Sequence, residues 1–140
     1  MIAVIRIHGM VKIKKKIEET LQRLRLKRKY ACVVLQPTKV NLGMIKNVRD
    51  FVAFGEIKKQ TFEKLINERG KLIDKKKEID AKKIITELEA GKKYQNLNLK
   101  PFFRLHPPRK GIESKKHFGV GKGVLGNNHE KINDLIERML

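Results

Sequence analysis

The residues that could carry out catalysis or hold a metal ion are few, and their spacing is typical of neither. The four histidines and the single cysteine, Cys32, do not recur at the intervals that form a metal site. Close carboxylate pairs fall on the outward faces of predicted helices, and Ser114, the only serine, lies in a basic stretch predicted to be mobile. The sequence therefore predicts no enzyme, no metal and no cofactor.

One glycine motif has two interpretations. Gly121 to Gly126 fits the pattern G-x-G-x-x-G, which binds the pyrophosphate of a dinucleotide when it follows a strand and opens a helix. The residues before Gly121 are instead basic and rich in glycine. We therefore interpret the motif as part of a flexible loop whose backbone amides can approach RNA phosphates, and we predict no small-molecule substrate.

The lysines and arginines are clustered, and the clustering indicates the partner. The chain has 34 basic and 15 acidic residues, a net charge of +19. Residues 12–29, the first basic block, have a net charge of +7, and residues 100–123, the second basic block, have a net charge of +6. Clusters of this kind attract polyanions. Because the chain has no long apolar run and no tryptophan, nucleic acid is favoured over a membrane.

Apolar periodicity predicts the elements that position these groups. Three runs rich in β-branched residues, 2–8, 30–35 and 51–57, predict strands. Between residues 13 and 24 the apolar residues recur every three or four positions, which predicts a helix with a basic outer face. With a second helix before the third strand, the order is β-α-β-α-β. This order indicates an α+β, ferredoxin-like fold in which two helices cover one face of a three-stranded sheet.

Local signals predict where three helices begin or end. Thr38 or Asn41 can cap the second helix, because both side chains accept hydrogen bonds from a first-turn amide. Asn127 and Glu130 are spaced as a capping box for a helix near the carboxyl terminus. Gly91 is placed to end a helix in the charged middle of the chain.

Composition divides the chain into three predicted segments. Residues 1–57 form the RNA-binding core, and residues 58–96, with both signs of charge mixed, form a helical extension. Residues 97–140 contain an edge strand at 97–105, a basic extended loop as far as residue 126, and a final amphipathic helix that packs back on the core.

Three aromatic side chains have both a packing and a functional interpretation, whereas Cys32 has only the first. Cys32 lies in a strand and is predicted to be a small buried residue, and a single cysteine suits a reducing cytoplasm. Because adjacent residues in a strand point to opposite faces, we expect one of Phe102 and Phe103 in the core and the other toward RNA or a neighbouring protein. Tyr30 follows three basic residues and can either pack or stack on RNA.

Several of these segments resemble one known family. The strand Ile2–Ile7, the stretch Leu24-Arg-Leu-Lys-Arg-Lys29, the helix Gly43-Met-Ile-Lys-Asn-Val-Arg49 and the segment Phe102-Phe-Arg-Leu-His-Pro-Pro-Arg109 are similar to the large-subunit ribosomal protein family numbered thirty. Bacterial members resemble only the first sixty or so residues. The longer chain, without a basic amino-terminal extension, is most similar to the archaeal branch.

The resemblance implies a structural constituent of the large ribosomal subunit in the cytoplasm, without catalytic activity. It implies binding to large-subunit ribosomal RNA near the 5S RNA, and contact with neighbouring ribosomal proteins. We expect no homo-oligomer. The residues that we predict to contact RNA are Lys12, Lys14, Lys15, Lys16, Lys27, Arg28, Lys29, Asn41, Gly43, Lys46, Arg49, Arg104, His106, Arg109, Lys110, Lys115, Lys116, His117 and Lys122.

Two other hypotheses suit parts of the sequence. Clustered basic charge is equally typical of a non-ribosomal protein that compacts nucleic acid, or of an RNA chaperone. Equal binding to duplex DNA and RNA would favour that hypothesis. An RNA-modifying or RNA-cleaving enzyme is the third hypothesis, and it needs a carboxylate or histidine cluster that the sequence does not assemble.

Overall fold

A central three-stranded sheet forms from the first segment of the chain in the predicted order. The computed structural model describes residues 1–9, 11–76, 78 and 80–140; Met10, Lys77 and Ile79 lie outside the described residues. The elements of the first segment are β1 (Ile2–Arg6), α1 (Lys15–Arg23), β2 (Ala31–Leu35), α2 (Lys39–Asn47) and β3 (Val52–Glu56). Strand β1 lies between β2 and β3 and is antiparallel to both. The β-α-β-α-β prediction is confirmed.

Helices α1 and α2 cover one face of this sheet. Alternate strand residues point to that face, among them Val4, Val33 and Val52, and they pack with Leu21 of α1 and Ile45 of α2. Helix α2 begins at Thr38, whose hydroxyl oxygen accepts a hydrogen bond from the Asn41 amide at 3.2 Å. Of the two predicted caps, Thr38 is therefore the one that the fold uses.

The opposite face of the sheet is covered by α3 (Lys59–Arg69), α4 (Ala81–Glu89) and α5 (Ile132–Met139). Their apolar residues form one cluster with the remaining strand residues, including Ile5 and Cys32. A sheet buried on both faces explains why its strands are almost continuously apolar rather than alternating. Cys32 is buried as predicted, and burial raises the pKa of its thiol to about 12, so the thiol stays protonated.

Three further strands extend the sheet at both edges. They are β4 (Phe103–Arg104), β5 (Glu113–His117) and β6 (Gly123–Asn127), and the order across the sheet is β4-β2-β1-β3-β6-β5. Strand β4 is antiparallel to β2, β6 is parallel to β3, and β5 pairs in parallel with β6 in an irregular register.

These strands correct two predictions. The edge strand predicted at 97–105 has only two residues, because a 3-10 helix ends at Leu97, Asn98 is left-handed with φ 59°, and Leu99 pairs with Leu72 instead of β2. The loop predicted at 112–126 contains β5 and β6. Strand β6 was not predicted because its glycines are typical of a loop. The close approach of β5 requires glycine at position 123, since a Cβ on Gly123 would lie 2.2 Å from the His117 carbonyl oxygen.

The start of α5 also differs from its prediction. Asn127 accepts a hydrogen bond from the His129 amide at 2.9 Å, and a short 3-10 helix, His129–Lys131, precedes α5. The reciprocal bonds of a capping box therefore do not form around Asn127 and Glu130. Among the described residues, no helix is both long enough and apolar enough to cross a membrane.

Candidate nucleic-acid interface

One end of the sheet brings together loops that are far apart in the sequence. Strand β1 ends there, and the antiparallel strands β2 and β3 begin there. The Ile7 amide donates to the Phe51 carbonyl at 3.0 Å, the Tyr30 amide to Arg6 at 2.7 Å, and the Leu105 amide to Tyr30 at 3.1 Å. We call this region, residues 7–9, 24–30, 48–51 and 104–106, the loop end.

The first basic block lies mostly in water. Leu21 and Leu24 are buried in the core on one side of α1. The opposite side of the helix is therefore available to a partner. The exposed cations of the block are Lys12, Lys14, Lys15, Lys16, Arg23, Arg25, Lys27, Arg28 and Lys29. Every residue of this block that we predicted as an RNA contact is thus accessible on the surface.

Helix α1 ends in a turn with an unusual residue at its left-handed position. The Leu26 amide donates to the Leu21 carbonyl and the Arg25 amide to Gln22, which is a Schellman motif. Arg25 has φ 65°, in the region where glycine is strongly favoured. A side chain there costs about 1–2 kcal/mol. Helix α4 ends in the same motif, and there the residue is Gly91, with φ 98°, as predicted.

A buried arginine holds this turn in place. Arg6, at the end of β1, has only 2% of its surface exposed. Its guanidinium donates from Nη1 to the Leu26 carbonyl at 2.8 Å, from Nε to His8 at 3.0 Å, and from Nη2 to Gly9 at 3.2 Å. Burial lowers the pKa of Arg6, and the charge of Glu18 opposes that shift. The loop end is therefore braced from inside by a charged group that the sequence reasoning missed.

The turn after α1 and strand β4 form a small basic pocket. It has a volume of about 240 Å³, and it joins the first basic block to one residue of the second, because β4 pairs with the start of β2. The Arg104 guanidinium lies 5.8 Å from the centre of the Phe102 ring, and the Lys29 ammonium lies 5.1 Å from that of Tyr30. The pocket is lined by Arg25, Lys27, Arg28, Ala31, Phe102 and Arg104.

The two adjacent phenylalanines separate as expected. Phe103 is fully buried and contacts Phe62 edge-to-face, with ring centres 6.5 Å apart. Phe102 is half-buried on the other face, beside the pocket. That one of the pair belongs to the core is confirmed; contact between Phe102 and RNA stays a prediction.

The rest of the second basic block lies elsewhere. Lys115, Lys116 and His117 belong to β5, at the opposite edge of the sheet from Arg104. Five neighbouring strand spacings separate the two edges, about 24 Å at roughly 4.8 Å each. A block that is continuous in the sequence is thus divided between two surfaces, with Lys122 in the turn between β5 and β6.

The β5 edge meets the end of α2. His117 Nε2 lies 3.4 Å from an Asp50 carboxylate oxygen, and Arg49 lines the same open cleft. Lys116 forms an ion pair with Glu113 at 2.9 Å. Two of the predicted RNA contacts at this edge are therefore beside carboxylates of the protein itself.

The segment from His106 to Gly111 packs on the end of α5. The His106 amide donates to the Met139 carbonyl at 3.1 Å, the Arg109 amide to Arg138 at 3.0 Å, and Arg138 Nε to the Arg109 carbonyl at 2.9 Å. The His106 ring is half-buried and bonds with the Pro107 carbonyl at 2.7 Å, whereas Arg109 and Lys110 are exposed. The His106 imidazole, predicted to contact RNA, thus already has contacts within the protein, and its contact with RNA stays a prediction.

Of the RNA contacts predicted on α2, one side chain is bonded within the protein and two residues are exposed. The Asn41 side chain donates to the Gln36 carbonyl at 2.9 Å, so it supports the start of the helix. Gly43 and Lys46 are exposed. A Cβ on Gly43 would meet nothing within 4 Å, so packing within the described chain does not require glycine there. The glycine is open to a partner that approaches the backbone closely.

Two signals in the sequence pointed to the missed residues. Arg6 is a cation inside an otherwise apolar strand, where it must find buried acceptors. Arg25 directly follows Leu24, the last apolar residue of the helical pattern, where a glycine is expected. Among the described residues, no three histidine, cysteine or acidic side chains are close enough to share a metal ion.

The fold and the exposed cations define a class: a basic α+β protein that presents charged loops at one end of a sheet covered on both faces. The family model described as ribosomal protein L30p/L7e matches residues 2–52. Large ribosomal subunit protein uL30 of Methanococcus maripaludis is 40% identical over 99% of this chain and 98% of its own length. The protein of the same name from Archaeoglobus fulgidus is 40% identical over 99% of this chain and 99% of its own length. The one from Nanoarchaeum equitans is 38% identical over 99% of this chain and 97% of its own length.

The chain belongs to the ribosomal protein L30p/L7e family. The resemblance stated from the motifs is confirmed, and so is its archaeal character, since these relatives are archaeal and match the chain over nearly its whole length. The family is a structural one, so the expectation of a non-enzymatic protein is confirmed as well.

Proposed function

We propose that this protein is a structural component of the large ribosomal subunit in the cytoplasm, where it binds and stabilises folded large-subunit ribosomal RNA. The observation that carries the proposal is the loop end, where cations from two distant parts of the sequence meet around one pocket. The names of the relatives support the choice of a ribosomal partner.

The proposed mechanism is charge neutralisation on more than one side. The basic face of α1 and the pocket at β4 neutralise phosphates of one RNA segment. The β5 edge, about 24 Å from β4 across the sheet, faces a second segment, and Arg49 lies beside it in the cleft that His117 lines. A rigid sheet between two cationic surfaces holds both segments at a fixed separation, because each surface lowers the repulsion between nearby phosphates.

The three segments of the chain have different proposed roles. Residues 1–57 form the RNA-binding core, and residues 97–140 add the β4 and β5 edges and pack α5 back on the sheet. Residues 58–96 mix both charges and are proposed to contact neighbouring ribosomal proteins. We place the RNA site near the 5S RNA. The other exposed predicted cations, from Lys12 to Lys122, are part of the same proposed interface.

Binding to defined RNAs tests this function. We expect tight binding to large-subunit RNA fragments and weak binding to random RNA of equal length. Affinity should fall with roughly the 0.7–0.9 power of salt concentration for each phosphate contacted. The variant K27A/R28A/R104A should lose about tenfold or more in affinity and show a smaller salt slope.

The matched control removes the same charge elsewhere. Lys82, Lys83 and Lys93 are exposed on or beside α4, and K82A/K83A/K93A should bind RNA nearly as the wild type does. Equal affinity of the wild type for large-subunit and random RNA would refute the proposal. Equal binding to duplex DNA, with absence from purified large subunits, would instead support the nucleic-acid compactor.

A further inference from the structure

We propose that the pocket between the turn after α1 and strand β4 holds one unstacked RNA base, with Phe102 as its stacking surface. The inference rests on the proposed RNA-binding function and makes it more specific. It assigns to the pocket a ligand of defined chemistry, a single-stranded nucleotide, rather than the phosphate backbone alone.

The size of the pocket suits one base. Its volume of about 240 Å³ lies just below the range of roughly 300–1,000 Å³ that is usual for drug-sized ligands. Its floor is apolar, formed by the buried Ala31 and the half-buried Phe102. A duplex presents its bases edge-on inside grooves, so a base can lay its face on Phe102 only after it has left the stack.

The lining of the pocket combines a ring with cations. The Arg104 guanidinium lies 5.8 Å from the centre of the Phe102 ring, and Arg25, Lys27 and Arg28 surround the remaining rim. No carboxylate belongs to the described lining residues. An aromatic ring offers a stacking face to any base, guanidinium groups bond to base edges, and the cations neutralise the adjoining phosphates.

The backbone of the turn supports a functional role for Arg25. Its φ of 65° is a conformation in which glycine is favoured, and Gly91 occupies the equivalent position at the end of α4. Tyr30, at the other end of the same turn, has φ 66°. Strained backbone of this kind is concentrated at functional sites. The position retains a long cationic side chain at the rim of the pocket, although glycine would relieve the strain.

Contacts within the protein hold both walls of the pocket in place. Arg6 holds the Leu26 carbonyl at 2.8 Å, and β4 is hydrogen-bonded to β2 through Ala31 and Cys32. Both walls are therefore attached to the central sheet. Walls attached to the sheet in this way lose little conformational entropy when a base binds between them, which favours specific binding.

The test compares two probes that carry the same phosphates. One is single-stranded oligouridine of about 12 nucleotides, and the other is an abasic ribose-phosphate chain of equal length. The wild type should bind oligouridine roughly 5- to 100-fold more tightly, which is about the range expected for stacking of one base. Because the phosphates are equal, this ratio should change little with salt, although both affinities fall.

Matched variants locate the base. F102L keeps the apolar volume but removes the ring, so the ratio should fall close to one. F118L is the control, since Phe118 is also half-buried with a lysine over its ring, 5.9 Å away, at the opposite edge of the sheet. It should keep the wild-type ratio. R25G should weaken binding of oligouridine by several-fold while its Tm is equal to or above that of the wild type, which excludes misfolding as the cause.

The outcomes separate the two proposals. Equal wild-type affinity for the two probes, together with tight binding to large-subunit RNA, overturns the base pocket and leaves the RNA-binding function intact. Failure to bind either probe or large-subunit RNA overturns both. If F118L lowers the ratio as much as F102L does, the base lies elsewhere and the pocket proposal is wrong.

Discussion

The two edges of the sheet have similar residues and different electrostatics. At the β4 edge, Arg104 meets cations of the first basic block, and none of the described carboxylates lies within ion-pair distance of them. At the β5 edge, Lys116 is paired with Glu113 and His117 faces Asp50. Both edges come from one basic stretch of the sequence. A cation attracts a polyanion strongly only where the fold leaves it without an acidic neighbour of its own.

The two edges also differ in how firmly they are attached to the rest of the protein. The β4 edge is braced by the buried Arg6 and by the core residue Phe103. The β5 strand is exposed along most of its length and pairs on one side only. We therefore expect the β4 edge to provide specific contacts, whereas the β5 edge provides a weaker, more general attraction.

The largest effect is expected from Arg6, because the β4 edge depends on it. Arg6→Met leaves three carbonyl oxygens without their donors, including that of Leu26. The free energy of unfolding should fall by about 3 kcal/mol, since buried acceptors that lose a charged donor are costly. Denaturant titration measures this change. Arg23→Met, on the exposed side of α1, is the control and should change stability by less than about 0.5 kcal/mol.

The second largest effect is expected in RNA affinity when three cations are removed from one edge or from the other. K27A/R28A/R104A removes three cations at the β4 edge, and K115A/K116A/K122A removes three around β5. Affinity for large-subunit RNA should fall by roughly 10- to 100-fold in the first variant and by less than about 5-fold in the second. RNA titrations at several salt concentrations measure the affinity of each variant. Equal losses would contradict the difference that we infer between the edges.

A smaller effect concerns the part of β2 that β4 leaves uncovered. The Tyr94 hydroxyl donates to the Val34 carbonyl at 2.7 Å, beyond the last residue that pairs with β4. Tyr94→Phe should lower the free energy of unfolding by about 1 kcal/mol. Tyr30→Phe is the matched control and should be nearly neutral.

The same variant has a pH signature. Burial raises the pKa of Tyr94 in the folded protein above its ordinary value of about 10. The unfolded tyrosine therefore ionises first, so the stabilising effect of the buried hydroxyl is complete below about pH 10 and is lost as the pH rises further. The stability difference between wild type and Tyr94→Phe should narrow above that pH. A constant difference would show that the hydroxyl is not buried.

The smallest effect tests whether acidic neighbours weaken the β5 edge. D50N/E113Q removes the carboxylates beside His117 and Lys116, and RNA affinity should rise by roughly 2- to 4-fold. E68Q/E78Q makes the same change in net charge on exposed residues of the extension. Its affinity should rise less, because those residues are farther from the proposed interface. Equal increases would mean that only total charge matters.

Much of the fold was predictable, because it depends on local patterns. Apolar spacing places α1 and α2, Thr38 caps α2, and Gly91 ends α4. Strand β6 was missed because a strand buried by distant elements needs small residues where the backbone crowds, and Gly123 resembles a loop residue in isolation. Strand β5 was missed because its mostly exposed residues, Glu113 to His117, include no alternating apolar residues. The predicted capping box failed because Asn127 turns its side chain to His129 instead.

The candidate site was predictable only as a list of cations. Exposure of Lys27, Arg28 and Arg104 follows from their charge, since an unpaired cation is rarely buried. That Arg104 and Arg25 line one pocket does not follow from composition, because it requires the pairing of β4 with β2 across some seventy residues of sequence. The RNA contact of His106 stays a prediction, and what the sequence does not reveal is that its half-buried ring already bonds with the Pro107 carbonyl.

The sequence by itself determined the order β-α-β-α-β, the attraction to polyanions and the family, because periodicity, net charge and motifs are properties of neighbouring residues. The tertiary structure alone decided which cations lie close together. It divided the second basic block between two edges and joined Arg104 to the turn after α1. The physical reason is that strand pairing is chosen by burial on both faces of the sheet, and that choice depends on every element that packs against it.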